Sequence, residues 1–228
     1  MGARRILAGR VVSHLNVCFH GVGTPGRELE PGEDPYWVTR DAFLAIVDEL
    51  ATWPSVRISF DDGNASDVEI GLPALVERDL RADFFVLAGR LGAAGSLDAA
   101  AVRELREQGM TIGSHGMAHR SWRAMDPSTR DAELVTARER LAEVAGAPVD
   151  AAACPLGRYD RRLLADLKRL GYRRVYTSDR RPARAGAWLQ PRYSVRHGDT
   201  PGSLREQVRP DLAARARLEA KALVKRLR

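Results

Sequence analysis

The amino-acid sequence predicts one α/β domain built around a central parallel sheet. Short apolar or β-branched runs alternate along the chain with helical segments of roughly ten to eighteen residues. No shift in composition divides the 228 residues into separate units. Hydrophobic residues make up 44% and charged residues 29%, which is typical of soluble globular domains. In a barrel or an open sheet of this class, the chemistry lies at the C-terminal ends of the strands.

Six strands are predicted from short runs that are bounded by turn residues. The runs are residues 13–21, 55–60, 81–89, 110–116, 151–157 and 172–178, of which the fourth and fifth continue into loops. A loop rich in Gly, Pro and Glu follows the first strand. We expect this loop to cover part of the cleft with its acidic residues, which are Glu28, Glu30, Glu33 and Asp34.

Five helices are predicted between these strands, over residues 40–51, 65–80, 96–109, 126–146 and 160–171. Thr39 is the predicted N-cap of the first helix, whose apolar residues recur at helical spacing. Gly71 and Pro73 are predicted to interrupt the second helix. Gly109 and Gly146 follow the third and fourth helices and are predicted to end them.

The C-terminal residues 211–228 are predicted to form a basic amphipathic helix. The favoured interpretation is a surface helix that packs on its own domain, and the alternative is peripheral contact with an anionic membrane. The residues of its predicted apolar face are Leu212, Ala216, Ala220, Leu223 and Leu227.

The formal net charge is +6, and nearly all of the positive charge is arginine. Aromatic residues do not interleave with these arginines, so no nucleic-acid partner is predicted. No apolar run approaches the length of a membrane span, and the N-terminus shows no clear signal peptide, so a cytoplasmic location is predicted. Cys18 and Cys154 are predicted to be buried, reduced thiols.

Two histidines lie where the strand predicted at residues 110–116 continues into a loop. The spacing of His115 and His119 places the two imidazoles about one turn apart if this segment is helical. Gly113 and Gly116 allow the backbone to approach a site closely. Two neutral imidazoles suit zinc, and a third ligand is expected from a neighbouring strand end, as a carboxylate or another His. Two surface histidines without a metal are the alternative.

Two adjacent aspartates follow the strand predicted at residues 55–60. Side chains of consecutive strand residues point to opposite faces, so Asp61 and Asp62 reach one site only if the chain bends, which Gly63 permits. Adjacent carboxylates repel each other, and a cation relieves that repulsion. One Asp as metal ligand and the other as base is the favoured division. A polar turn that caps the next helix is the alternative.

The segments ISFDDG and SHGMAH resemble the first two motifs of the polysaccharide deacetylases, the NodB-homology enzymes of carbohydrate esterase family 4. The resemblance spans roughly residues 13 to 200. It implies a distorted (β/α)-barrel with fewer than eight regular units. It also implies a deacetylase domain over residues 1–210, with the C-terminal helix beyond it, and a bound divalent metal, most commonly Zn²⁺, with Co²⁺ or Ni²⁺ as alternatives.

The resemblance assigns roles residue by residue. Asp62, His115 and His119 match the metal ligands, and Asp61 matches the general base. A backbone N–H near Tyr159, in the third motif, resembles the donor that stabilises the oxyanion.

The sequence departs from the family pattern in three places. Cys154 precedes Pro155 where the family often has an Arg that orients the base. Arg192, on a further late strand predicted in the segment LQPRYSV, is the predicted replacement. The motif that supplies a general acid has no good match. His20 and His197 are the candidates, and the acid stays unassigned. The family's acidic motif, which contains a Trp, has only a partial match, because Asp179 is present but Trp188 lies later in the sequence. Substrate contacts are predicted for Tyr159, Arg192 and His20.

The predicted function is metal-dependent removal of an N-acetyl group from an amino sugar, with release of acetate. The sugar is predicted to be a saccharide, a lipid-linked or nucleotide-linked sugar, or a small glycoside. One alternative is hydrolysis of a formamide, ureide or cyclic amide in a small metabolite by the same metal site. Another is a catalytically inactive relative that binds glycans.

Overall fold

Eleven strands and eight α-helices form within residues 13–208 and 212–227, the part of the chain that the computed structural model describes. The strands are β1 (Ser13–Phe19), β2 (Gly21–Val22), β3 (Trp37–Val38), β4 (Val56–Asp62), β5 (Ala82–Val86), β6 (Thr111–Ser114), β7 (Ala151–Ala153), β8 (Arg174–Thr177), β9 (Ala183–Arg184), β10 (Leu189–Pro191) and β11 (Tyr193–Ser194). The helices are α1 (Arg40–Ala51), α2 (Leu72–Glu77), α3 (Ala99–Glu107), α4 (Pro127–Asp131), α5 (Ala137–Ala145), α6 (Arg161–Arg169), α7 (Pro201–Val208) and α8 (Leu212–Leu227). The N-terminal segment, where no signal peptide is predicted, lies outside the described residues.

The main sheet follows the order β10-β8-β7-β6-β5-β4-β1-β11, and neighbouring strands along this path are parallel. The side-chain amide of Asn16 in β1 donates hydrogen bonds of 3.0 Å to Gln190 and to the Pro191 carbonyl in β10. These bonds join the end strand β10 to β1, which is the neighbour of the opposite end strand β11, so the sheet forms a nearly closed barrel. No helix separates β8, β9, β10 and β11, so the barrel is irregular on this side. The predicted distorted (β/α)-barrel is confirmed.

The first helix forms where its capping and apolar pattern predict it. The Thr39 side chain accepts a hydrogen bond of 3.2 Å from the Ala42 N–H and caps α1. Gly146 adopts a left-handed conformation, with φ 60°, at the C-terminus of α5, as the sequence predicts. The apolar residues that α1 buries against the sheet are Phe43, Ile46, Val47 and Leu50.

The predicted interruption of the second helix is confirmed. A single π-helical turn over Asp67–Gly71 precedes α2, and Pro73 falls in the first turn of α2, where a missing N–H costs little. A Cβ at Gly71 would lie 3.1 Å from the Phe60 ring, so glycine lets this turn approach β4 closely. The turn therefore packs directly behind the strand that carries Asp61 and Asp62.

Aromatic side chains alternate between the two faces of the sheet. Phe60 stacks on Phe84 outside the barrel, under the helices, with ring centroids 4.8 Å apart. Phe85 and Tyr176 face the barrel interior with centroids 4.9 Å apart. The guanidinium of Arg192 lies 5.2 Å from the Phe85 ring centroid. The interior apolar layer thus forms the floor beneath the C-terminal strand ends.

The C-terminal helix α8 contacts the domain through a face other than the predicted one. Ala222 is buried, whereas Leu223 is 55% and Leu227 68% exposed. The side chain of Leu212 lies outside the described part of the chain. Polar residues fix the helix instead: Lys225 donates a 2.7 Å hydrogen bond to Asp179. Among the described residues, no helix has the length and apolar character needed to span a bilayer.

Candidate metal centre and active site

The two adjacent aspartates at the end of β4 reach the same cavity because the strand bends at Asp62. Asp62 has φ 78° and Gly63 has φ 69°, both in the left-handed region. The bend turns the Asp62 side chain toward the side that Asp61 already faces. Both residues are at most 3% exposed. The sequence predicts a bend at Gly63. In the structure, the left-handed conformation starts one residue earlier, at Asp62.

The carboxylate of Asp62 meets the two predicted histidines. Its Oδ1 atom lies 3.4 Å from His115 Nε2 and 3.4 Å from His119 Nε2. One ligand atom from each of the three residues falls within 4.8 Å of the others. The histidines do not lie on a helix. A loop with Gly116 at φ 88° and His119 at φ 47° brings the imidazoles together.

Hydrogen bonds on the far side of each imidazole hold its Nδ1 atom, so that both Nε2 atoms face Asp62. His115 Nδ1 donates to the Ala153 carbonyl at 2.9 Å, and His119 Nδ1 donates to Glu30 at 2.5 Å. Burial lowers the pKa of His115 to about 4, against the opposing attraction of Asp61 and Asp62, so its ring is neutral near pH 7. Neutral histidines held through Nδ1 are the usual arrangement of metal ligands.

The three side chains fit a divalent metal ion. Asp62 Oδ1 is buried and has no hydrogen-bond partner among the described residues. An unpaired buried carboxylate oxygen is costly, and a cation between it and two imidazole nitrogens removes that cost. Two His and one Asp are a donor set that suits zinc, with room for water as a further ligand.

A second group of metal-ligating atoms fits an ion poorly. Atoms of Cys18, His20 and Asp61 also lie within 4.8 Å of one another. Burial raises the pKa of the Cys18 thiol well above its ordinary value, so the thiol keeps its proton. Asp61 is already neutralised by Arg192. The free cysteines Cys18 and Cys154 are both buried, as predicted.

Glu30, in the loop between β2 and β3, supports the site from outside the barrel. Besides His119, it pairs with Arg90. The same loop is fastened by Arg27, which pairs with the buried Glu33 and donates a 3.1 Å hydrogen bond to Asn64. The loop therefore covers part of the cleft, as the sequence predicts.

Glu133 fixes the histidine loop from below. Its carboxylate accepts hydrogen bonds from the N–H groups of Met117 at 2.8 Å and Ala118 at 3.2 Å, and from the Trp122 indole at 3.1 Å. A Cβ at Gly116 would lie 2.2 Å from this carboxylate, so only glycine fits there. Glu133 lies in a π-helical turn, Ala132–Thr136, which places its side chain inward. No sequence motif indicates this role, because the contact joins two separate segments.

Arg192 forms a bidentate ion pair with Asp61. Its Nη1 and Nη2 atoms each donate a 2.6 Å hydrogen bond to one oxygen of the Asp61 carboxylate. Burial alone would raise the pKa of Asp61, but the charge and hydrogen bonds of Arg192 outweigh it and hold that pKa below its ordinary value. Asp61 is therefore an ionised carboxylate at neutral pH, in a fixed orientation.

A cavity of about 290 Å³ opens above these groups. His20, at the end of β1, lines it and packs on the Tyr36 ring, with centroids 4.9 Å apart. His20 Nδ1 is buried and has no partner among the described residues. His197, the other candidate acid, is exposed and is not among the described residues that line the cavity.

The Tyr159 side chain does not line this cavity. Its hydroxyl donates a 2.7 Å hydrogen bond to the buried Asp179, which also pairs with Lys225 of α8. Residues 154 and 156–158 of the same loop line the cavity instead. Trp188, which the sequence offers as the Trp of the acidic motif, lies away from the cavity, in a groove beside α6.

Comparisons with known proteins agree with this geometry. A family model described as polysaccharide deacetylase matches residues 51–175. A curated relative, YxkH of Bacillus subtilis (strain 168), is 23% identical over 124 residues, which are 54% of this chain and 44% of that protein. The chain thus matches less than half the length of this relative.

Two solved structures share the fold. The deacetylase PplD of Streptococcus pyogenes, solved in complex with acetate, has a TM-score of 0.75 at 20% identity, covering 88% of this chain and all of that chain. BC0361, a polysaccharide deacetylase from Bacillus cereus, has a TM-score of 0.74 at 17% identity, covering 87% of this chain and 69% of that one. Because the family model covers more than half of the sequence, this protein belongs to the polysaccharide deacetylase family.

Proposed function

We propose that this protein is a metal-dependent hydrolase that removes the N-acetyl group of an amino sugar and releases acetate. The observation that carries this proposal is the convergence of Asp62, His115 and His119 beside the ionised Asp61, in one cavity. Family membership supports the reaction class, since the family hydrolyses N-acetyl amide bonds.

Asp62, His115 and His119 would hold the ion, with Zn²⁺ proposed and Co²⁺ or Ni²⁺ as alternatives. When bound, such an ion supplies Lewis-acid chemistry, since it lowers the pKa of water and polarises a carbonyl group. Glu30 and the Ala153 carbonyl keep the two imidazoles in the tautomer that this binding requires.

Asp61 acts as the general base in this proposal. It takes a proton from the attacking water, because it is ionised and lies against the ligand residues, 3.9 Å from His115 Nε2. Arg192 occupies one side of each carboxylate oxygen and leaves the remaining lone pairs for the water. The arginine that orients the base thus comes from the residue after β10, instead of from the position before Pro155.

His20 is the group best placed to act as general acid. It lines the cavity on the side of β1, beside Asp61, and its Nδ1 atom is unpaired. An imidazole there can give a proton to the nitrogen of the leaving amine as the C–N bond breaks. Contacts with substrate are proposed for His20 and Arg192, and for a backbone N–H close to Tyr159.

The loop from Cys154 to Arg158 supports an oxyanion donor. Leu156 has φ 57° and Gly157 has φ 60°, and the N–H groups of Gly157 and Arg158 close this turn by donating to the carbonyls of Cys154 and Pro155 at 3.2 Å. The donor would therefore be a neighbouring N–H, such as that of Leu156, which lines the cavity. A Cβ at Gly157 would lie 2.0 Å from Ser178 Oγ, so the loop packs closely on the segment after β8. Donors held this rigidly can stabilise charge that develops on the carbonyl oxygen.

Product analysis tests this proposal. Purified protein is incubated with N-acetylated amino sugars, free and linked to a nucleotide or lipid carrier, and acetate is measured. Acetate release that chelation abolishes and zinc restores supports the proposal. Formate or ammonia released from formamide, ureide or cyclic amide substrates would favour the alternative hydrolase. Glycan binding without turnover, insensitive to chelator, would favour an inactive relative. The cytoplasmic location stays a prediction, which cell fractionation tests.

A further inference from the structure

A second cavity lies beside the edge strand β10, against α6 and α8, and has a volume of about 690 Å³. None of its described lining residues lines the catalytic cavity. Glu219 is the one acidic residue among them. We call this cavity the basic groove, after the cationic side chains that line it: Arg161, Lys168, Arg181, Arg184 and Arg226.

The arginines of the basic groove are incompletely paired. Arg181 is only 9% exposed, and its Nη1 lies 3.3 Å from Glu219, whose side chain is itself 53% exposed. Arg181 Nε and Arg226 Nε are buried and have no hydrogen-bond partner within residues 13–208 and 212–227. A buried guanidinium with unpaired donors is costly, and a bound anion would satisfy those donors.

An apolar wall adjoins the cations. The Trp188 ring lines the groove, and Lys168 Nζ lies 5.0 Å from its centroid. The indole N–H donates a 2.7 Å hydrogen bond to the Tyr172 carbonyl, which fixes the ring in place. The groove therefore offers a rigid aromatic surface next to a concentration of positive charge.

We propose that the basic groove binds a ligand that carries a diphosphate, or two neighbouring phosphate groups. Guanidinium groups match phosphate oxygens with paired hydrogen bonds, and five cations against one carboxylate favour a ligand with more than one negative charge. The apolar wall suits a ring or chain attached to the phosphate. This site is separate from the catalytic cavity, and the proposal does not depend on hydrolysis.

Calorimetric titration with inorganic pyrophosphate tests the site. Asp62→Ala protein serves as the background, because it removes the proposed ion site and so any pyrophosphate bound there. Saturable binding is expected, and Arg181→Gln should weaken it about tenfold or more. Arg184→Gln, at an exposed position of the groove, should also weaken it without disturbing the fold. Arg173→Gln is the control, because its side chain is 83% exposed and lies outside the groove; it should change the affinity less than about twofold.

Two further titrations identify the source of the phosphates. Tighter binding of a nucleoside diphosphate than of pyrophosphate would support the site and indicate a soluble ligand. Binding to phosphatidic acid vesicles but not to phosphatidylcholine vesicles, lost in Arg184→Gln, would support the site and indicate a lipid headgroup. The proposal is overturned if no probe binds saturably at millimolar concentration, or if Arg181→Gln and Arg184→Gln both bind pyrophosphate as the background protein does.

Discussion

Arg192 and Asp61 form a buried, bidentate ion pair across the barrel, although 131 residues separate them in the chain. The same guanidinium donates a 2.9 Å hydrogen bond to Ser59 and lies over the Phe85 ring. Asp61 is thereby fixed in position and kept ionised. The pair also explains how two adjacent carboxylates coexist: Arg192 neutralises one, and the other faces the histidines.

Replacing Arg192 with Gln should reduce turnover at neutral pH about a hundredfold or more, because Asp61 loses its orientation and its stabilising charge. Arg192 is the strongest of the groups that oppose the effect of burial on the Asp61 carboxyl, so its loss raises the pKa of Asp61. The acidic limb of the kcat/KM profile should therefore move to higher pH. The pH–rate profile is the measurement.

Arg192→Lys retains a charge but not the planar pair of donors, and should fall between wild type and Arg192→Gln. Arg169→Gln, with an exposed side chain, is the matched control. An unchanged acidic limb in a folded Arg192→Gln protein would show that Arg192 does not set the state of Asp61.

Replacing Glu30 with Gln should weaken zinc binding about 10- to 100-fold. The carboxylate accepts the His119 Nδ1 proton and so keeps Nε2 free for the ion. Competition with a chromogenic chelator measures the affinity. Glu28→Gln changes an exposed residue of the same loop and should leave the affinity unchanged. Equal zinc affinities of the Glu30→Gln and Glu28→Gln proteins would contradict the role of Glu30 in holding His119.

Replacing His20 with Gln should lower the turnover of an amide substrate about 10²- to 10⁴-fold without loss of zinc. The loss should be much smaller for an aryl acetate ester, whose leaving group needs no proton. His197→Gln is the control, because that side chain is exposed and does not line the cavity. An equal loss for ester and amide would argue against His20 as the acid.

The buried carboxyl of Asp67 is expected to give the stability of the fold an unusual dependence on pH. Its carboxyl is fully buried, and neither oxygen has a partner in the described part of the chain. Burial, then the charges of Asp62 and Asp61, raise its pKa well above the ordinary value. The folded protein thus holds a proton that unfolding releases, so this group's contribution to stability falls as pH rises from the ordinary pKa toward the raised one.

Asp67→Asn removes this ionisation and should flatten the pH dependence. The metal-free variant should be more stable than metal-free wild type at about pH 8, and the difference should shrink toward about pH 5. Urea unfolding at each pH measures it. A stability difference between the two proteins that does not vary with pH would show that Asp67 has an ordinary pKa.

The regular part of the fold could be predicted because it rests on local patterns. Thr39 and the apolar spacing of α1 are short-range signals, and the structure agrees with them. Strand β9 was missed because it has only two residues, too few for a periodic pattern, whereas the late strand predicted around Arg192 is present as β10 and β11. The orientation of α8 was also missed, since polar contacts such as that of Lys225 set it.

The candidate site likewise combines residues that local motifs predict with residues that they do not. Asp61, Asp62, His115 and His119 stand in short motifs that a sequence displays. The residues that position these side chains lie in other parts of the sequence. Glu30, for example, is 89 residues from His119 in the chain. Such pairs form only when the barrel closes, and no spacing in the sequence encodes them. Arg192 could be predicted only from the family resemblance, since the third motif lacks the expected arginine.

Zinc stoichiometry tests the central claim most directly. Wild type, Asp61→Asn and Asp62→Ala are stripped with a chelator, dialysed against zinc, and analysed for bound metal. Wild type and Asp61→Asn should each hold about one equivalent, since Asp61 is paired with Arg192, and Asp62→Ala should hold almost none. A folded Asp62→Ala protein that binds zinc as wild type does would contradict the assignment of Asp62, His115 and His119 as the metal centre.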